Sequence, residues 1–147
     1  MSIAVSTTSG ARAAWVASRL RARVAFLFVI LGAAVVGALA TQPDITARAV
    51  ADSGADLTRL LRAMAAIKVL MAAGAAAGVL WRLAAPVSLA GFAAYAVAGA
   101  AMAAGPGLIW GMAHVAAGAV LLHAGLLATV VLLWRDPAVG QRLASLV

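Results

Sequence analysis

Residues 108–134 read LIWGMAHVAAGAVLLHAGLLATVVLLW, 27 positions without a fixed charge. A bilayer core needs about 20 mostly apolar helical residues, with a range of about 17–25, and this run satisfies it alone. Working outward, three more runs qualify: residues 24–40 and 87–104 carry no charge, and residues 63–81 carry only Lys68. All four are rich in Ala and Leu and lack the period-2 alternation of membrane strands. The whole chain of 147 residues is 66% hydrophobic and only 10% charged, against about 45–50% and about 25% for a soluble domain. The expected fold is an all-α integral membrane four-helix bundle.

Charge sets the expected orientation. Arg12, Arg19, Arg21 and Arg23 precede the first span, Arg82 lies in the second connection, and Arg135, Asp136 and Arg142 follow the fourth. The other side balances Arg48, Arg59 and Arg62 against Asp44, Asp52 and Asp56. Basic residues are retained in the cytoplasm. The chain thus divides into a cytoplasmic basic segment (1–23), a four-span domain (24–134) and a cytoplasmic tail (135–147), with both ends inside. The net charge of +7 then marks topology and contact with anionic membrane lipids, not nucleic acid. The start also has the parts of a secretory signal peptide, with Ala38 and Ala40 at a cleavable end. Cleavage after Ala40 would leave three spans.

The connections predict local structure. Pro86 fits the first turn of span three, and Gly105-Pro106-Gly107 reads as a tight turn joining spans three and four. Residues 41–58 read as an outer loop, with Ser53 or Asp56 capping the next helix. Residues 11–23, with Trp15 among arginines, read as a short interfacial helix.

Lipid tails are as apolar as Leu, so membrane helices associate through small residues and polar contacts. The expected seams are Gly74 and Gly78, enclosing three alanines, and Gly111, Gly118 and Gly125 at seven-residue spacing. A compact bundle uses these internally; a homodimer would use the Gly74–Gly78 pair as a GxxxG face.

Ionisable groups inside spans are functional candidates by default. Lys68 either snorkels toward the headgroups or lies in the bundle. His114 shares a helical-wheel face with Gly111, Gly118, Gly125 and Thr129, so it is expected to face inward near Lys68 as an intramembrane polar site. His123 points the opposite way, on a stripe with Met112, Ala116, Leu127, Val130 and Trp134, and is expected to mark a subunit contact.

No Cys is present, which excludes thiol chemistry and Cys-ligated metal. No hydrolase motif and no intramembrane carboxylate pair occurs. The two histidines cannot ligate one haem from opposite faces of a straight helix. A His–Met haem using His114 with Met64, Met71 or Met102 is the cofactor arrangement left open; otherwise no cofactor and no metal is expected. The leading expectation is a small multi-pass inner-membrane protein without enzymatic activity, an accessory, anchoring or assembly subunit in a homo-oligomer or beside another membrane subunit. The alternatives are an oligomeric transport or proton-coupled module using Lys68 and His114, and a haem-bearing or quinone-site anchor.

Overall fold

The computed structural model describes the backbone of residues 6–144 and the side chains of residues 18–144; the side chain of Arg12 lies outside this range. Five helices follow in order: α1 (Ser6–Leu39), α2 (Pro43–Arg82), α3 (Leu89–Trp110), α4 (Val115–Arg135) and α5 (Pro137–Ala144). No strand occurs among the described residues. Four helices are long and apolar enough to cross a membrane: α2, α3, α4 and the Ser18–Leu39 part of α1. The protein is a four-helix membrane bundle with a short terminal helix.

α3 is the central element. It packs on α1, α2 and α4, while α1 and α2 barely touch. Its sequence explains this position, because Gly, Ala and one Pro dominate it and few large side chains hold neighbours away. A Cβ on Gly125 of α4 would stand 2.5 Å from the Met102 nitrogen and 2.6 Å from the Ala98 carbonyl oxygen. A Cβ on Gly105 would stand 2.5 Å from the Gly118 oxygen. On the α1 side, a Cβ on Gly107 would lie 2.6 Å from the Ala38 nitrogen, and Gly99 faces the ring of Phe26, which is fully buried. Two helices thus approach α3 backbone to backbone. Between α1 and α2 the same geometry leaves an apolar crevice of about 220 Å³, walled by Ile30, Ala34, Val69 and Ala73 and floored by Met102 and Pro106.

Several local expectations are corrected. Gly105-Pro106-Gly107 is not a turn; it lies inside α3. Pro removes one helical hydrogen bond, which membrane helices tolerate, and the two glycines serve close packing instead. The turn falls at residues 111–114, where Met112 takes a left-handed conformation with φ 60°. Gly111 borders this turn against the Thr41 side chain. Pro86 precedes α3 rather than entering it; Ser88 caps that helix, its hydroxyl accepting from the Gly91 N–H at 3.1 Å.

Residues 41–58 are not a loop. Pro43 starts a helix that continues to Arg82 through a kink at Gly54, whose φ of 76° suits a residue without Cβ. Neither Ser53 nor Asp56 caps a helix there; Gln42 is the N-cap residue, and Asp56 pairs with Arg59 at 3.6 Å in full solvent exposure. Residues 11–23 are no separate interfacial helix, since nothing between Gly10 and Gly32 breaks α1. Gly74 has open space where its Cβ would be, and Gly78 meets only Leu133 Cδ1 at 3.5 Å. The Gly74–Gly78 pair therefore forms no close helix seam within the chain.

These contacts separate two kinds of glycine. Gly125→Ala is expected to destabilise the detergent-solubilised protein by about 1–3 kcal/mol through overpacking. Gly74→Ala is expected to leave stability unchanged or raise it by up to about 1 kcal/mol through helix propensity. Thermal unfolding followed by circular dichroism checks both; equal losses would contradict the packing described.

Candidate functional site

The described side chains gather polar chemistry at two places. The first is the Arg-rich end of the bundle, where α2 stops. A helix leaves its last four carbonyls without intrahelical partners, and here all four are satisfied. Val79 accepts from Leu83 N–H and Arg82 from Ala85 N–H. Leu80 accepts from Arg23 Nε of α1 at 3.0 Å. Trp81 accepts from Ala84 N–H and from Arg142 Nη1 of α5 at 2.9 Å. Arg142 also lies 5.3 Å from the Trp81 ring centroid, within cation–π range. Arginines at a helix C-terminus also complement its partial negative charge.

Arg82 itself turns inward and is 5% exposed. Its Nε donates to Asp136 Oδ2, and its Nη1 reaches the Pro86 carbonyl at 3.2 Å. Tyr95 of α3, 2% exposed, donates its hydroxyl proton to the same Oδ2 at 3.1 Å. The other oxygen, Oδ1, accepts from Ala138 N–H at 3.0 Å and so caps α5. One carboxylate therefore ties α2, α3, α4 and α5. Burial by itself pushes the Asp136 carboxyl up, but the hydrogen bonds from Arg82, Ala138 and Tyr95, with the Arg82 charge, together hold it below its ordinary value. Sequence reading treated Arg82 as an orientation charge only. The missed signal is the single acid on the basic side, Asp136, directly after span four, with the single Tyr of the chain two turns inside α3.

The second place is within the membrane, between α2 and α4. Lys68 Nζ lies 3.5 Å from His123 Nε2, the outer limit of a hydrogen bond. His123 Nδ1 is 2.6 Å from the Ala119 carbonyl oxygen, so Nδ1 carries the proton and Nε2 turns its lone pair to the ammonium. The expected neighbour of Lys68 was His114, and this is corrected. The wheel that placed His114 inside assumes one helix over residues 108–134, but α4 begins at Val115. His114 is the exposed residue preceding that helix. The seam residues Gly118, Gly125 and Thr129 are buried as expected, and Thr129 Oγ1 is buried without a hydrogen-bond partner.

His123 is exposed, as are Leu127, Val130 and Trp134 on the same stripe, the last at 88%. The open His–Met arrangement loses one pairing: Met102 packs against Gly125, eleven residues and about 16 Å along the chain's rise from His114. At the end opposite the arginine cluster, Arg62 lies 5.5 Å from the Trp110 ring centroid. Among the described residues no group of three or more His, Asp or Glu could hold a metal ion.

Asp136→Asn is expected to destabilise the protein by about 3 kcal/mol, since it leaves a buried guanidinium without its counter-charge. The pH dependence follows from the same contact. A carboxyl held below its unfolded value of about 3.9 contributes fully above that value and loses the contribution as pH falls through its folded value. Melting of wild type is therefore expected to drop across the acid range, while Asp136→Asn lacks that component of the drop. Parallel melting curves between pH 7 and pH values of about 3 for both proteins would contradict the assignment.

No protein-family model matches the chain, and no curated protein or solved structure matches it either.

Proposed function

We propose that this chain is a small multi-pass protein of the inner (cytoplasmic) membrane that acts without catalysis, as an accessory, anchoring or assembly subunit. The observation that carries the reading is the Lys68–His123 pair, which lies on the outside of the bundle within its membrane-spanning part. Lipid tails offer an ammonium and an imidazole no hydrogen bonds; a neighbouring protein segment does. The exposed stripe of Leu127, Val130 and Trp134 continues that surface along α4. Charge supports the orientation, because Arg23, Arg82 and Arg142 all converge on the end of α2, and basic ends stay cytoplasmic. Burial of Phe26 against α3 supports a retained α1 rather than a cleaved leader.

A proton-coupled module is the second reading, and the specific observation favouring it is the same contact, with His123 in the role first assigned to His114. It needs a polar path to each side, whereas the crevice between α1 and α2 is lined by apolar side chains.

Photo-crosslinking in cells tests the subunit reading. A benzophenone side chain at Leu127 is compared with one at Val36, each replacing a residue 66% exposed but on a different helix. Leu127 is expected to give one discrete protein adduct and Val36 none. Lipid adducts alone at both positions would overturn the reading. The absence of Cys makes the orientation equally accessible: Gly140→Cys is expected to resist a membrane-impermeant thiol reagent in intact cells, and Ala47→Cys to react.

A further inference from the structure

The Lys68 ammonium has three donors, and His123 Nε2 is its one hydrogen-bond partner among the described residues. A neutral imidazole supplies no countercharge. Its depth follows from helix rise: Lys68 is 14 residues from Arg82, about 21 Å, and His123 is 12 residues from Arg135, about 18 Å. Toward the other end, Lys68 is six residues, about 9 Å, from Arg62. The two helices place the pair at one level within their membrane-spanning parts. Its ammonium turns sideways to His123 of α4.

The chain cannot supply the missing charge at that level. Its four acids are Asp44, Asp52, Asp56 and Asp136. Asp56, the nearest of the first three in the chain, precedes Lys68 by 12 residues, about 18 Å of helix beyond the kink at Gly54, with Asp44 and Asp52 on the far side of that kink, and 13 residues separate Asp136 from His123 at the other end. Asp136 is also engaged by Arg82, Tyr95 and Ala138. A second copy inserted in the same orientation presents the same mismatch.

We propose that the exposed face of α2 and α4 at Lys68 and His123 receives a transmembrane helix of a different protein, whose Asp or Glu carboxylate pairs with the Lys68 ammonium. The proposal rests on the subunit reading and names the chemistry of its partner. His123 is a positioning residue: its Nδ1–H is fixed on Ala119, and its Nε2 steers the ammonium across α4. Met71 on α2, with Leu127 and Val130 on α4, gives the incoming helix apolar flanks, all exposed.

The test uses the full-length protein in phosphatidylcholine nanodiscs and synthetic Leu/Ala helices of about 20 apolar residues. One peptide carries a single Glu about 9 Å inside its outer end, matching Lys68; the others carry Gln or Leu there. Association is read by fluorescence transfer. The Glu peptide is expected to bind at least about tenfold more tightly than the Gln peptide. Lys68→Met should abolish that preference, Lys68→Arg should keep it, and His123→Leu should reduce it, with helix content unchanged in all three. Equal binding of Glu and Gln peptides, or a preference that survives Lys68→Met, overturns the proposal. The two readings separate cleanly. A foreign adduct at Leu127 without Glu preference leaves the subunit role standing and removes the carboxylate. An adduct consisting only of a second copy of this chain also overturns the proposal.

Discussion

Everything in this bundle depends on how closely two helices approach α3. In lipid, no difference in hydrophobicity pulls one helix onto another, so association comes from close packing and polar contacts. Gly125, Gly118 and Gly105 let α4 and α3 meet at their backbones, and Gly107 with Ala38 does the same for α1. Side chains then fill what remains: Phe26, Met102 and Leu122 are almost completely buried. The chain is small-residue-rich because contact area per helix rises when the axes come nearer.

Polar groups take complementary parts. At the Arg-rich end, burial is matched by partners: the Arg82 guanidinium, the Asp136 carboxylate and the Tyr95 hydroxyl answer one another. That cluster holds α5 in place, which an eight-residue helix could not do through its own hydrogen bonds. Between α2 and α4 the balance is incomplete, because one cation faces one neutral ring. A structural clasp satisfies itself; an interaction surface leaves something for another molecule to complete.

The number of spans and their approximate extents were legible because hydropathy acts over some 20 residues and local detail barely alters it. Punctuation was not. Gly105-Pro106-Gly107 has the composition of a turn, yet the same glycines are what close packing requires, and packing decides. The turn instead uses Met112 at positive φ, a residue that no turn preference selects. This displacement of the turn, from residue 105 to residue 111 at its start, explains the histidines. A wheel drawn through residues 108–134 is valid only along one helix, so it described His123 on α4 but not His114 before it. Gly118, Gly125 and Thr129 lie within α4, and their shared buried face was readable. The Arg82–Asp136–Tyr95 cluster was not, since its members lie 41 and 54 positions apart along the chain, and only the crossing of helices joins them.

The separation of α1 from α2 also bears on biosynthesis. Helices that pair with their sequence neighbour can leave the ribosome and the insertion machinery as hairpins. Here α1 finds its principal surface on α3, which begins 50 residues after α1 ends. At about 5–20 residues per second, α1 spends several seconds in the bilayer with its α3-facing side, Phe26 and Gly37 included, covered by lipid. Assembly of the bundle is therefore gated by the arrival of the third span, and the first helix has to be stable alone in the membrane until then.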